Sequence, residues 1–240
     1  MSPDSNAIAG AGMAQRVKKS RWPAILDLVQ SLTGLLLAGF VCVHLLLDSA
    51  ILISPDAANY VARFFEGEAL LGTAHPWIVS VAATGLFLLI ILHAMLALRK
   101  FPHDYRQYRA FRTHTSRFSH GDTRLWGWQV VTGFALFFLA APHLVTVITQ
   151  PDAIGALPSS LRVVEERAWV LYALFLPVLL VHAAAGVYRL AMKWLSPAPQ
   201  RAAGLRSAIR IGVWTVAGLY LALGTAALIA YVRHGLALAA

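Results

Sequence analysis

The 240 residues are 58% hydrophobic and only 13% charged, with a mean hydropathy of +0.64, which excludes an ordinary soluble domain and indicates a polytopic membrane protein. The formal net charge of +9 fits orientation in a bilayer and contact with anionic lipid or an acidic partner, and no nucleic-acid partner is expected. The single cysteine, Cys42, lies inside an apolar run and excludes both a disulfide framework and a cysteine-ligated metal cluster.

The first 21 residues are polar and small and end in Lys18, Lys19 and Arg21 with no apolar segment ahead of a cleavage site, so no signal peptide is expected. Five uncharged stretches follow, at 28–47, 76–98, 125–151, 168–188 and 211–232, each of 20 to 27 residues and long enough to span a bilayer. Pro23 and Pro76 stand where a helix start tolerates proline. The expectation is an all-α membrane protein, a single domain over 1–240 with transmembrane helices near 23–52, 76–100, 124–150, 166–194 and 207–233. With the N-terminus in the cytoplasm, sixteen of the twenty lysines and arginines flank the inner ends, leaving only Arg63, Arg162, Arg167 and Arg233 outside. That bias sets the N-terminus inside and the C-terminus outside. The inner loop 101–123 carries tyrosines, arginines, His103, His114 and His120; it is either ordinary positive-inside charge or a docking surface. The outer loop 54–75 is longer than a tight turn needs, and 59–66 reads as a short interfacial helix. Neither an internal repeat nor a low-complexity segment is read.

His44, His93, His143 and His182 each lie in a different apolar run, where an imidazole is costly without a partner. One such residue reads best as a core histidine bonded to a neighbouring helix; four paired by depth do not. At about 1.5 Å per residue, His44 stands about 32 Å and His143 about 27 Å from the inner ends of their helices, against about 10 Å for His93 and about 16 Å for His182. The depths pair His44 with His143 near the outside and His93 with His182 near the inside, about 16 Å apart. Each pair offers two neutral imidazoles to one b-type haem, so two haems b form a wire across the membrane. The sequence has no Cys-x-x-Cys-His, so no thioether link is expected. His75, His103, His114, His120 and His234 lie in flanks or loops and are not offered as ligands.

Helical phase places Lys193 within about 20° of the His182 face, in reach of an inner-haem propionate. Gln30 and Gln129 each lie 14 residues before an outer ligand, at the depth of the inner haem; they are propionate partners or interhelical hydrogen-bonding groups.

With these residues in view, the chain resembles the dihaem cytochrome b subunit of bacterial fumarate reductases that oxidise menaquinol. The resemblance rests on the segments 18–23, 30–34, 93–102, 105–108, 120–126, 132–135 and 187–190 and on the four histidines. It implies a bundle of five transmembrane helices enclosing two haems in a bacterial inner membrane. It also implies a flavoprotein subunit and an iron-sulfur subunit on the cytoplasmic side, often as a dimer of heterotrimers. Electrons from menaquinol would reach fumarate on the flavoprotein, so the catalytic flavin lies on another chain. The resemblance further implies Gln30, Ser31, Trp126 and Lys193 as contacts of the inner haem and Arg162 for a propionate of the outer one. Some relatives carry a glutamate two residues before the fourth ligand, associated with proton passage; here the position is Leu180.

Quinol oxidation releases two protons with two electrons and needs a proton acceptor near the outer haem. Glu66 matches the family's glutamate in the outer loop and is the candidate, beside Phe64 and Phe65, with Glu68 read as solvated. A succinate dehydrogenase subunit running in the opposite direction uses the same residues, and a structural anchor without quinone chemistry needs no ligand pairs. A nitrate-reductase-type dihaem subunit takes its ligands from fewer helices.

Overall fold

The computed structural model describes residues 20–101, 104–106, 109, 121–195 and 202–239, and among these every regular element is helical. The helices are α1 (Trp22–Asp48), continued by a 3-10 turn at Ser49–Leu52, α2 (Pro55–Phe65), α3 (Glu68–Leu71), α4 (Pro76–Leu98), α5 (Gly121–Thr149), α6 (Ala156–Glu165), α7 (Ala168–Trp194) and α8 (Ala202–Ala239). Five helices among the described residues, α1, α4, α5, α7 and α8, are long and apolar enough to cross a bilayer. The basic segment 1–19 and most of the loop 101–123 lie outside the described residues.

Proline opens α1, α2 and α4, where its missing N–H costs nothing. Pro142 in α5 and Pro177 in α7 each remove one N–H from the helix ladder inside the bundle, a break that spanning helices tolerate. α8 covers 38 residues, about 57 Å, and runs past both ends of its apolar stretch to include Arg206, Arg210 and Arg233.

The interfacial helix starts at Pro55 rather than residue 59. Ser54 caps it by accepting the Ala57 N–H at 3.0 Å, with Asp56 in the first turn, so the helix nucleates at this Ser-Pro-Asp sequence. Asn59 thereby sits mid-helix and accepts the Ala156 N–H at 2.8 Å, joining α2 to α6, a second amphipathic helix that the sequence reading did not anticipate. Gly67 ends this segment at φ +80°, where a Cβ would also stand 2.7 Å from Ile78 Cδ1, so the turn requires glycine.

In the bundle α5 packs between α4 and α7, α7 packs on α8, and α1 touches α4, α7 and α8. Small buried residues such as Ala83, Ala140, Ala184 and Ala185 let the helices approach, which suits association in lipid. At the outer end Ile51, Ala58, Ala156, Val163, Ala227 and Tyr231 form a compact roof where α2 and α6 meet α8. Leu36, Val131 and Leu219 are more than 60% exposed and lie outside the cavity lining, as side chains in contact with acyl chains must. At the opposite end Asp27 of α1 binds Arg99 at 2.6 Å and Lys100 at 3.1 Å, just past α4, and Lys193 in the last turn of α7 at 3.8 Å.

Candidate functional site

The helices enclose a cavity of about 1170 Å³, lined by His44, His93, His143 and His182 together with Gln30, Ser31, Trp126, Gln129, Arg162 and Lys193. A single cofactor site usually measures about 300–1,000 Å³, so this volume suits more than one planar macrocycle.

The outer rings, His44 on α1 and His143 on α5, face each other with centroids 6.1 Å apart. A metal–imidazole bond is about 2 Å and the ring centre lies about 1 Å beyond it, so two imidazoles sharing one metal stand about 6 Å apart. The pair therefore fits bis-histidine ligation. His44 stacks on Phe40 of the preceding turn, with centroids 5.3 Å apart and planes within 8°. His143 sits among Tyr172 and Phe175, its Nδ1 3.3 Å from the Tyr172 hydroxyl.

The inner rings are held differently. His93 Nδ1 lies 2.9 Å from the Thr33 hydroxyl, and His182 Nδ1 lies 3.2 Å from that of Thr132 and 3.1 Å from the Gln129 carbonyl. The next residue is glycine in both cases: a Cβ on Gly34 would stand 3.0 Å from His93 Cε1, and one on Gly133 would stand 3.1 Å from His182 Cε1. His93 and His182 are near enough to act on each other electrostatically.

Unpartnered polar atoms lie in the cavity wall. Gln30 Oε1 and Arg162 Nε are buried without a hydrogen-bond partner among the described residues, although the Arg162 Nη2 donates to Gln150 and to the Ala153 carbonyl. A buried, unpartnered guanidinium N–H on a residue of the cavity wall suits a carboxylate such as a propionate. Gln129 differs from Gln30, because its amide oxygen accepts from Arg189 across the α5–α7 contact. Ser31 donates to the Asp27 carbonyl at 2.8 Å and receives Lys193 Nζ at 3.4 Å, and Trp126 packs on Phe101.

Glu66 does not line the cavity. It follows α2 as its C-terminal cap, 9% exposed, while the adjacent Phe65 does reach the cavity wall. Phe64 and Glu68 instead line a separate surface pocket of about 290 Å³. Burial raises the Glu66 carboxyl above the ordinary glutamate value; Glu68 and Asp152 push the same way and Arg63 opposes them.

The threonines and glycines that hold the inner histidines were missed in the sequence, yet a signal for them exists. Gln30, Thr33, Gly34 and His44 recur as Gln129, Thr132, Gly133 and His143, each 99 positions later, and the register continues through Arg63 and Arg162 to Glu66 and Glu165. Each copy runs from a spanning helix into an amphipathic interfacial one, α1 into α2 and α5 into α6, and then to a second span. This corrects the reading of no internal repeat; apolar filler between the matched residues hides it.

The succinate dehydrogenase/fumarate reductase transmembrane subunit family matches residues 105–221. A fumarate reductase cytochrome b subunit of Helicobacter pylori (strain ATCC 700392 / 26695) is 45% identical over 225 residues, 94% of this chain and 87% of that protein. One of Wolinella succinogenes is 43% identical over 194 residues, 81% of this chain and 76% of that protein. This chain belongs to that family.

Proposed function

We propose that this chain is the membrane-anchoring cytochrome b subunit of a quinol:fumarate reductase. The observation that carries the reading is one cavity through the bundle lined by two histidine pairs, with the outer rings 6.1 Å apart. Haem b, when bound, is a one-electron carrier. His44 and His143 hold the outer group and His93 and His182 the inner. Arg162 binds an outer propionate through its unpartnered Nε; Gln30, Ser31, Trp126 and Lys193 surround the inner group, with Gln129 aligned by Arg189.

Menaquinol is the substrate, bound where Phe65 reaches the cavity below α2. Glu66 accepts a proton from the quinol hydroxyl, and its raised pKa brings it closer to a working base than an ordinary surface glutamate. The end of the bundle that carries Asp27, Arg99, Lys100 and Lys193 faces the bacterial cytoplasm, with the C-terminus of α8 outside. There the loop 101–123 docks an iron-sulfur subunit that passes electrons to a flavoprotein, and two such heterotrimers form a dimer.

Glu66→Gln in the intact complex tests this reading. Quinol-driven fumarate reduction should collapse while two haems b per chain and dye-linked succinate oxidation remain. Full quinol activity moves the acceptor elsewhere, and absence of haem b from the purified wild type refutes the reading as a whole.

A further inference from the structure

The two histidine levels differ in what fixes the ring nitrogen that faces away from the cavity. Among the described residues His44 makes no hydrogen bond and is held by stacking on Phe40. His93 and His182 are held by threonine hydroxyls that are also within hydrogen-bond reach of carbonyls on their own helix. Thr33 donates to the Gln30 carbonyl at 3.1 Å, and Thr132 donates to the Trp128 carbonyl at 2.7 Å. A hydroxyl that donates its one proton to the helix carbonyl is an acceptor toward the ring, and that arrangement calls for hydrogen on Nδ1. The Gln129 carbonyl, which can only accept, imposes the same state on His182 independently. Both rings are thereby the Nδ1–H tautomer, with the lone pair on Nε2.

Other threonines in the spans bond back to their own helix in the same way. Thr84, Thr146 and Thr149 do so at exposed positions. Thr33 and Thr132 are 5% and 7% exposed, each is followed by the glycine against which the histidine lies, and they are equivalent residues of the 99-residue repeat. That recurrence is independent of the hydrogen-bond geometry and marks the same two residues.

We infer that Thr33 and Thr132 are positioning residues that lock the inner histidines in the Nε2-ligating tautomer, fix their ring planes and hold down the reduction potential of the inner haem. The inference rests on the reading of His93 and His182 as the inner ligand pair. Accepting Nδ1–H makes an imidazole more basic at Nε2, and a more basic ligand favours ferric iron. In the outer pair His44 stacks on Phe40 and His143 Nδ1 lies 3.3 Å from the Tyr172 hydroxyl, so the threonine device acts on the inner level only.

The test is a redox titration of the purified complex carrying Thr33→Val and Thr132→Val together, an isosteric exchange that removes both hydroxyls. Expected are two haems b per chain, one wave moved to higher potential with a changed low-spin ferric EPR signal, and the other wave unmoved. The Thr→Ser pair, which keeps the hydroxyls, should return the wild-type wave. Two unchanged waves in the valine variant overturn the inference. So does an equal shift in the serine variant, because the methyl groups would then be responsible. If the valine variant assembles without the inner haem, the serine variant decides: retention supports the inference and loss overturns it. His182→Ala distinguishes the underlying reading, since two haems retained in that variant remove the inner pair itself.

Discussion

Gly133→Ala puts a methyl group where His182 leaves no room. The new Cβ stands 3.1 Å from Cε1 and 3.5 Å from Nδ1, so the ring must retreat by a few tenths of an ångström. Its two anchors, Thr132 and the Gln129 carbonyl, are on the same helix as Gly133, at 3.2 and 3.1 Å. Retreat therefore stretches both bonds toward the limit of about 3.5 Å at which they cease to hold. Overpacking costs about 1–3 kcal/mol, and an unsatisfied buried N–H a similar amount, while replacing a helical glycine returns at most about 1 kcal/mol. The expected net loss is about 1–5 kcal/mol, an inner site weaker by about fivefold to more than a thousandfold at about 1.4 kcal/mol per decade. Haem content per chain and its thermal release in detergent measure this. Gly39→Ala is the control, because nothing lies within 4 Å of its Cβ position. Equal haem retention in the two variants would refute the steric argument.

Asp27→Asn leaves Arg99, Lys100 and Lys193 without their shared counter-ion; at side-chain exposures of 30–49% each pair contributes roughly 0.2–1 kcal/mol, so a loss of about 1–2 kcal/mol is expected in detergent unfolding and should shrink at high salt. An unchanged midpoint would assign those cations to topology alone. Quinol oxidation should fall as pH drops through a midpoint above 4.5, because Glu66 must be ionised to accept a proton and burial favours its neutral form. Glu68→Gln removes a repelling neighbour and should move that midpoint down; a profile identical in Glu66→Gln would exclude Glu66 as its origin.

The bundle was legible because its determinants are local. Apolar runs long enough to span cannot do much else, and a histidine within one has few inexpensive explanations. Depth was legible because helical rise is constant, and the pairing it gave for His44 and His143 has its counterpart in two facing rings. What escaped depends on packing between helices. Nothing near Thr33 in sequence announces that His93, 60 positions on, will meet it. Gln30 and Gln129 share the same phase, yet Arg189 occupies one amide oxygen and leaves the other unpartnered. Glu66 escaped for a third reason. A cap residue has no periodicity, so its face could not be read, and Glu66 follows α2 next to Phe65 without being part of the cavity lining itself.

In the reading proposed above, Leu180 bears on whether turnover separates charge. It is 7% exposed on α7, and between Tyr172 and Tyr188 the only titratable side chain of that helix is His182. At the outer end of the cavity stand Arg162, Tyr172 and the Tyr231–Asp48 pair, joined at 3.3 Å; at the inner end stand Lys100, Arg189 and Lys193. Apart from the four histidines, the wall between these groups consists of residues such as Leu37, Val41, Leu86, Ile90 and Leu179. An apolar wall of this kind carries no proton, and its histidines are committed as ligands in the reading proposed here. On that reading, protons released by quinol near Glu66 leave on the outer side while the electrons go inward, and each turnover separates charge. Proteoliposomes containing the complex should develop a membrane potential, negative on the fumarate side, and collapsing it with valinomycin and potassium should accelerate turnover. Sustained turnover with no potential in sealed vesicles would require a proton route through the bundle and would overturn the assignment of Leu180 as its break.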